Sequence, residues 1–253
     1  ALLHCGADLT VIGAGPDGIN INAGYGSTDT AALKAAVLKC GADIGLALDG
    51  DADRVIVVDE TGTEIDGDQV MALIARELHA AGRLKGGGIV STVMSNMGLD
   101  RYLQSLGLTL ARTRVGDRYV GEHMRARGFN FGGEPSGHII LSDVSTTGDG
   151  LLAGLHVLSV LAESGQKMST LARVFEPAPQ ELVNIRYAGA NPMDSARVKA
   201  ALAEAESMMG TQGRMVVRKS GTEPLIRVMA EALEAGLMKQ ALQLVVDAVE
   251  AEA

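Results

Sequence analysis

The acidic segment Asp49-Gly50-Asp51-Ala52-Asp53-Arg54 constrains the fold of this chain more than any other feature. It lies between two short apolar segments, residues 44–48 and 55–58, whose length and β-branched content predict buried strands. Two carboxylates about 4 Å apart repel each other by roughly 1 kcal/mol in water and about 4 kcal/mol at a protein surface. The segment therefore predicts either a loop around a bound cation or, because Asp and Gly also favour turns, a solvated acidic turn.

Mg2+ is the cation that this loop suits best, with Asp49, Asp51 and Asp53 as its predicted ligands. Three carboxylates leave positions open for waters and a substrate phosphate, which is the usual magnesium arrangement. An EF-hand calcium loop would place Glu60 at its twelfth position, but Arg54 stands where that loop needs glycine. The EF-hand also needs a helix on each side, so the predicted strands exclude it.

Composition predicts a soluble globular protein with a large aliphatic core. Of the 253 residues, 47% are hydrophobic and only 3% are aromatic. No run of 18 apolar residues is present, so no membrane span is predicted. The net charge of -9 and the lack of a basic cluster argue against nucleic acid as a partner. Cys5 and Cys40 make no disulfide framework or metal pair, which favours a reducing cytoplasm.

Strand and helix patterns alternate along the first two thirds of the chain, which predicts an α/β layered architecture. Residues 1–6 are predicted to form the last turn of a helix with Gly6 as its cap, so we expect an N-terminal part to be missing. A strand is predicted at 8–12. Helices are predicted at 31–39, 69–81, 98–106 and 149–164. The Pro-containing segment 175–179 is a predicted linker to a small α+β domain with a closing helix at 237–249.

The segment Gly13-Ala14-Gly15-Pro16-Asp17-Gly18 matches the GxGxxG pattern of dinucleotide-binding folds. That pattern has meaning only where a helix begins inside it, so that the pyrophosphate meets the helix N-terminus. Residues 19–24 alternate and contain glycine, without a helical period. A dinucleotide site is therefore not predicted here.

Two further loops carry side chains suited to a phosphosugar. In Gly132-Gly133-Glu134-Pro135-Ser136-Gly137-His138, a carboxylate, a hydroxyl and an imidazole could bind sugar hydroxyls, and His138 could move a proton near neutral pH. In Arg218-Lys219-Ser220-Gly221-Thr222-Glu223-Pro224, the turn and nearby Arg227 could bind an anion. Either loop could instead be a shaped or solvated turn. The segment 112–119, with three arginines before and after Gly116 and Asp117, is a phosphate cleft or a charged strand end.

In this order, the motifs at 49–54, 133–138 and 218–224 resemble the α-D-phosphohexomutase superfamily, in which DGDxDR, GExSGH and RxSGTEP loops bind Mg2+, the sugar and the substrate phosphate. The resemblance covers essentially the whole chain and is nearest to the branch that acts on hexosamine phosphates. It implies two α/β/α layered domains, the first partial, followed by a small α+β domain. The implied bounds are 1–64, 65–177 and 178–253, which correspond to domains 2, 3 and 4 of the superfamily.

The resemblance also implies a role for each matching residue. The Mg2+ ligands would be Asp49, Asp51 and Asp53. Arg54, beside the transferring phosphate, and His138, in proton handling, would be catalytic. The sugar-binding positions would be Gly116, Asp117, Glu134, Ser136 and His138. The positions that bind the phosphate not being transferred would be Arg218, Ser220, Gly221, Thr222 and Arg227.

The implied activity is isomerisation of a hexosamine phosphate by phosphoryl transfer through a hexosamine 1,6-bisphosphate. The superfamily carries its phosphoryl group on a phosphoserine in domain 1, which these residues do not contain, so the chain alone is expected to be inactive. A phosphosugar, the missing N-terminal domain and a second copy in a homodimer are the implied partners. The alternatives are the same chemistry on glucose or mannose phosphates, and a non-catalytic phosphosugar-binding module.

Overall fold

The computed structural model describes residues 1–189, 191–220 and 223–253. The chain divides into two compact units, one formed by Ala1–Ser95 with Leu99–Phe175 and the other by Asn96–Gly98 with Glu176–Ala253. Within the described residues there are three β-sheets and eight α-helices. The predicted α/β fold class is therefore confirmed.

The first sheet of the larger unit is antiparallel and carries the acidic segment at one end. Its strands, in spatial order, are β1 (Ile44–Leu48), β2 (Val55–Asp59) and β3 (Glu64–Ile65). Leu48 pairs with Val55, so residues 49–54 form the connection between β1 and β2. Helix α1 (Ala31–Cys40) packs Leu33 and Val37 against Gly45 of β1, where a larger side chain would collide.

The second sheet of this unit has the order β5-β4-β6-β7, and β4 is parallel to both β5 and β6. Strands β6 and β7 are antiparallel and form a hairpin. The strands are β4 (Gly88–Thr92), β5 (Thr109–Thr113), β6 (Phe131–Gly133) and β7 (Ile139–Leu141). The helices that follow α1 are α2 (Gly67–Ala80), α3 (Met97–Ser105), α4 (Asp117–Arg127), α5 (Gly150–Ser164) and α6 (Met168–Leu171).

One core joins both sheets of the larger unit. It contains Val57 of β2, Leu73 and Ile74 of α2, Ile89 of β4 and Phe131 of β6, all fully buried. The helix predicted at 69–81 is confirmed as α2. Burial of each such side chain stabilises the fold by about 1.5–3 kcal/mol. The core therefore fixes the strands, and with them the loops at the strand ends.

The smaller unit is a three-stranded antiparallel sheet with two helices. Its strands are β8 (Gln180–Arg186), β9 (Gly213–Lys219) and β10 (Leu225–Ala232), in the order β8-β10-β9. Helices α7 (Ala196–Met209) and α8 (Ala235–Glu250) share a core with Ile226, Val228 and Ala230 of β10. Because side chains alternate along a strand, Arg227 and Glu231 lie on the opposite face. The predicted small α+β domain is confirmed as a fold.

The structure differs from the sequence prediction at residues 8–12 and at helix α4, and it adds the short elements β3 and α6. Residues 8–12, predicted as a strand, have no regular secondary structure, and Val11 is 63% exposed. Within the described residues no strand pairs with them, and an unpaired apolar segment does not form a strand by itself. Helix α4 was not predicted, because the arginines around Gly116 and Asp117 suggested a strand end. The predicted helical turn at the start is confirmed, with a 3-10 helix at Leu2–Cys5 and Gly6 at φ 85°.

Candidate functional site

The acidic loop brings its three carboxylates together. One oxygen from each of Asp49, Asp51 and Asp53 lies within 4.8 Å of the other two. The backbone turns at Ala52, whose φ of 58° is uncommon for a residue with a side chain. The Ala52 carbonyl accepts a hydrogen bond of 2.8 Å from the N–H of Gly150, the first residue of α5. The core helix α5 thus fixes the turn that presents the carboxylates.

The electrostatics of this loop are suited to a hard cation. Burial raises the pKa of Asp53 above its ordinary value, the contact and charge of Asp49 raise it further, and His138 opposes them. Arg54 compensates in part, with its Nε 3.5 Å from Asp53 Oδ1 and 3.7 Å from Asp49 Oδ2. Asp53 Oδ1 is buried without a hydrogen-bond partner in the described part of the chain. An all-carboxylate set with such an oxygen fits Mg2+.

The hairpin between β6 and β7 carries the predicted sugar loop and joins it to the acidic loop. The Glu134 N–H donates to the His138 carbonyl at 2.9 Å, and the Gly137 N–H donates to the Glu134 carbonyl at 3.0 Å. The Gly137 carbonyl accepts from the Val55 N–H at 3.1 Å, directly after the acidic loop. A Cβ on Gly137 would lie 2.3 Å from the Val55 carbonyl oxygen, so only glycine permits this approach.

His138 is the side chain at which the predicted sites of the larger unit meet. Its side chain is 3% exposed, and its Nε2 lies 3.4 Å from Asp53 Oδ2 and 3.9 Å from Asp117 Oδ2. Neither ring nitrogen has a hydrogen-bond partner among the described residues. The imidazole is thus placed between a predicted metal ligand and a predicted sugar-binding carboxylate, where it can exchange a proton with a bound molecule.

Two other predicted sugar-binding positions are linked directly. Glu134 Oε1 accepts a hydrogen bond of 3.0 Å from the Gly116 N–H, which precedes the first turn of α4. The Asp117 side chain is 56% exposed at that same turn. Ser136 lies exposed in the hairpin loop. The structure therefore brings Gly116, Asp117, Glu134 and His138 together, and leaves the Ser136 side chain facing solvent in the same loop.

The predicted phosphate-binding arginines belong to the smaller unit. Arg218 of β9 and Arg227 of β10 are directly opposite each other across the two strands. Burial and then the charge of Arg227 lower the pKa of Arg218 below its ordinary value. The Nε atoms of both are buried with no hydrogen-bond partner in the described ranges. Two like charges directly opposite each other favour an anion at this end of the sheet.

The predicted phosphate loop follows β9. Ser220 is buried there, and its N–H donates to the Leu225 carbonyl at 2.9 Å. Gly221 and Thr222 lie outside the described residues.

Sequence reasoning missed two glycines that support the site. Gly148 lies against the His138 ring, where a Cβ would come within 2.4 Å of Nε2. Gly150 bonds the Ala52 carbonyl and would bring a Cβ within 2.3 Å of the Arg54 carbonyl oxygen. The signal was the Gly-Asp-Gly sequence at the start of α5, where Asp149 caps the helix. It predicted a helix start but gave no indication of what packs against it.

Two family models match most of the chain. The model described as phosphoglucomutase/phosphomannomutase, alpha/beta/alpha domain III, matches residues 66–178, and the one for the C-terminal domain of the same family matches 182–248. The chain belongs to the phosphoglucomutase/phosphomannomutase family. Among curated relatives, the phosphoglucosamine mutase of Hyphomonas neptunium is 75% identical over all 253 residues. That of Ruegeria sp. is 57% identical over 251 residues, 99% of this chain. The chain spans 56% of the length of each.

Solved structures show the same fold at lower identity. A phosphoglucomutase/phosphomannomutase family protein from Burkholderia thailandensis matches with a TM-score of 0.73 at 22% identity, over 89% of this chain and 50% of that one. The N-acetylphosphoglucosamine mutase of Aspergillus fumigatus, solved in complex with GlcNAc-6P and magnesium, matches with a TM-score of 0.66 at 24% identity, over 82% and 48%. None of the helices in the described ranges has the length and apolarity that a membrane crossing requires.

Proposed function

We propose that this chain is the C-terminal part of a phosphoglucosamine mutase, an isomerase that interconverts glucosamine 6-phosphate and glucosamine 1-phosphate by Mg2+-dependent phosphoryl transfer. The observation that carries the proposal is the junction of the acidic and sugar loops, where His138 Nε2 lies 3.4 Å from Asp53 Oδ2. The proposed Mg2+ site, which would bind phosphate, then lies next to the loop that would bind the sugar. The name and sequence identity of the Hyphomonas neptunium relative support glucosamine as the sugar.

In this proposal Asp49, Asp51 and Asp53 hold Mg2+. The bound ion supplies positive charge that neutralises the phosphoryl group during transfer. Arg54, whose Nε is 3.5 Å from Asp53, adds a fixed positive charge beside the transferring group. Catalysis by these residues is chiefly positioning and electrostatic stabilisation.

The sugar is bound by the second loop and by the first turn of α4. The Glu134 carboxylate accepts hydrogen bonds from sugar hydroxyls, and the Ser136 hydroxyl can accept or donate them. Gly116 and Asp117 complete this side of the site. Glu134 keeps one carboxylate oxygen for the sugar, since Oε1 is engaged by the Gly116 N–H. His138 takes the proton from the hydroxyl that attacks phosphorus and returns it in the reverse direction.

The phosphate that is not being transferred is bound in the smaller unit by Arg218, Ser220, Gly221, Thr222 and Arg227. The opposed guanidiniums of Arg218 and Arg227 provide charge-assisted hydrogen bonds to its oxygens. Like charges directly opposite each other on neighbouring strands destabilise the smaller unit, and a bound anion would relieve this repulsion. The same pair thus gives affinity for the phosphate group and little for a neutral sugar.

The phosphoryl carrier is proposed to be a phosphoserine in the part of the relatives that this chain does not span. The phosphoryl group passes from that serine to the 1-hydroxyl of glucosamine 6-phosphate, forming the hexosamine 1,6-bisphosphate. The bisphosphate turns over, its 6-phosphoryl group returns to the serine, and glucosamine 1-phosphate remains. Added bisphosphate therefore acts as an activator, and the 253-residue chain alone is expected to be inactive.

The remaining assignments belong to the same proposal. Residues 1–64, 65–177 and 178–253 correspond to the end of domain 2, domain 3 and domain 4 of the superfamily. The two free cysteines, Cys5 and Cys40, are exposed, which suits a reducing cytoplasm. Light scattering on the longer protein tests whether it forms a homodimer.

Phosphorus NMR tests the function directly. The protein with its N-terminal part restored is given Mg2+, a trace of bisphosphate and, in separate samples, the 6-phosphates of glucosamine, glucose and mannose. We expect fastest conversion of glucosamine 6-phosphate. Faster conversion of glucose or mannose 6-phosphate would instead assign the alternative mutase activity, and no conversion of any sugar would favour a phosphosugar-binding module. An Asp51→Asn variant controls for contaminating mutases.

A further inference from the structure

Two fully buried serines lie at the end of β4, behind the sugar loop. Ser91 is the fourth residue of this strand and Ser95 follows it, and both have 0% exposure. Their neighbours Ile89 and Val90 are also fully buried. A hydroxyl inside such an apolar region is costly unless it is hydrogen-bonded, so the partners of these two hydroxyls need an explanation.

The acceptor fixes the direction of the hydrogen bond to the sugar loop. Ser91 Oγ lies 2.7 Å from the carbonyl oxygen of Gly133, which can only accept, so Ser91 donates its one proton there. Ser91 Oγ also lies 2.5 Å from Ser95 Oγ. The two hydroxyls thus form a chain of contacts that runs from Ser95 through Ser91 to the Gly133 carbonyl.

This chain ends on the peptide group that carries Glu134. The carbonyl of that group, from Gly133, accepts from Ser91, and its N–H, from Glu134, donates to the His138 carbonyl at 2.9 Å. The backbone on the N-terminal side of Glu134 is thus held at both polar atoms. Its side chain is held separately by the Gly116 N–H at 3.0 Å.

The sheet itself does not provide this support. Strands β4 and β6 are registered at one pair only, Val90 with Gly132, and the ladder stops there. At the next residue of each strand, the Ser91 hydroxyl binds the Gly133 carbonyl in place of a backbone N–H. An apolar residue at position 91 would leave that carbonyl without this partner at the point where the loop leaves the sheet.

We propose that Ser91 and Ser95 are positioning residues for Glu134, fixing the backbone from which it binds the sugar. The proposal rests on the proposed mutase function for the role of Glu134, but the support of the loop can be tested without it. Neither serine contacts the sugar. Their effect reaches it through the Gly133–Glu134 peptide group.

Amide hydrogen exchange on the 253-residue chain tests the support itself. Ser91→Ala should increase the exchange rate of the Glu134 and Gly137 amides by about tenfold, since both lie in the turn that loses its anchor. The Thr61 amide, bonded to Asp59 Oδ1 at 2.9 Å, is the internal control and should not change. Ser95→Ala, which leaves the bond from Ser91 to Gly133 in place, should give a smaller increase. Unchanged exchange at Glu134 would overturn the proposal.

Kinetics of the longer protein test the consequence for the sugar. Ser91→Ala should raise KM for glucosamine 6-phosphate about fivefold and change kcat less than about twofold, because ground state and transition state lose the same ordered contact. Ser169→Ala is the matched control, since it removes a hydroxyl bonded to Glu60 and should lower only the melting temperature. Faster exchange with an unchanged KM would overturn the positioning role.

The two arms separate the possible failures. If the wild-type protein converted no sugar phosphate, the proposed function would fail, while exchange at Glu134 would still decide whether Ser91 holds the loop. If Ser91→Ala did not fold, Ser95→Ala would carry the same two measurements, and no change in either would overturn the proposal.

Discussion

At the scale of single residues, Asp53 destabilises the metal-free fold and is also a proposed Mg2+ ligand. Its carboxyl lies beside Asp49 and His138 and has a pKa raised first by burial and then by Asp49. A raised pKa means that the folded protein disfavours the ionised form. The ionised Asp53 carboxylate therefore lowers the free energy of unfolding of the metal-free chain, and a bound cation would offset this effect.

Asp53→Asn is expected to stabilise the metal-free chain and to abolish its response to Mg2+. With an acid whose folded pKa is raised above the ordinary value of 3.8, stability falls as pH rises through the interval between the two values. The variant should thus melt above the wild type at pH 7 in EDTA, and the difference should vanish near pH 3. Mg2+ should raise the melting temperature of the wild type only. A variant that melts lower in EDTA would contradict this account.

Glu60 shows the opposite titration behaviour, away from the site. Burial alone would raise its pKa, but hydrogen bonds from the Ser169 hydroxyl and N–H lower it below the ordinary value. The associated stability is therefore present above pH 4.5 and is lost as pH falls through the folded-state pKa. This carboxylate fixes the connection after β2 to helix α6.

Ser169→Ala should reduce the free energy of unfolding by about 1–2 kcal/mol at pH 7, because a hydrogen bond to a charged group is lost. The loss should become smaller at an acidic pH below the lowered pKa of Glu60, where that carboxyl is protonated. Ser159→Ala is the matched control, since that hydroxyl also binds a glutamate, Glu163, but on the exposed face of α5. Urea denaturation at both pH values measures the difference. If both variants lost the same free energy of unfolding at pH 7, the partly buried position of the Ser169–Glu60 hydrogen bond would not explain its contribution.

At the scale of elements, the sequence predicted those that are buried and regular. Strands β1 and β2 were predicted from their short length and β-branched apolar residues, and helix α2 was also predicted; all three have buried residues. Helix α4 escaped prediction because it has few apolar residues to mark a face, and only Val120, Gly121 and Met124 of it are buried. The strand predicted at 8–12 did not form because no strand of the described chain pairs with that segment.

The sequence predicted candidate site residues, but it did not predict the contacts between them. The acidic loop, Glu134 and His138 were identifiable because such residue types are costly without a function. Nothing in the sequence indicated that Gly148 would lie against His138, or that Ser91 would reach the Gly133 carbonyl. Those contacts depend on the order of strands in the sheet, and sequence spacing does not determine that order.

The cap of α5 is an element-scale link between stability and metal binding. Asp149 Oδ1 accepts from the Leu152 N–H at 2.8 Å, and Asp66 Oδ1 in the same way accepts from Gln69 of α2 at 2.9 Å. Asp149→Ala and Asp66→Ala should each cost about 1 kcal/mol of stability. Only Asp149→Ala should also weaken Mg2+ binding, because the Gly150 N–H of its helix supports the Ala52 turn. Calorimetric titration with Mg2+ compares them, and equal Mg2+ affinities would contradict this link.

At the scale of the whole molecule, the predicted sites are divided between two compact units. The acidic loop and the sugar loop belong to the unit that contains β1 to β7, and the opposed arginines belong to the unit that contains β8 to β10. Each unit has its own hydrophobic core. Binding of Mg2+ and binding of phosphate are therefore expected to be separable properties of this chain.

Asp51→Asn and Arg227→Gln should show this separation on the 253-residue chain. Asp51→Asn should abolish the increase in melting temperature caused by Mg2+ and keep the increase caused by inorganic phosphate. Arg227→Gln should do the reverse. It should also raise the melting temperature without phosphate, because Arg218 then loses the like charge directly opposite it. In the longer protein, Asp51→Asn should reduce turnover to background and Arg227→Gln should raise KM at least about tenfold. If phosphate stabilised the Arg227→Gln variant as much as the wild type, Arg218 and Arg227 would not form the anion site.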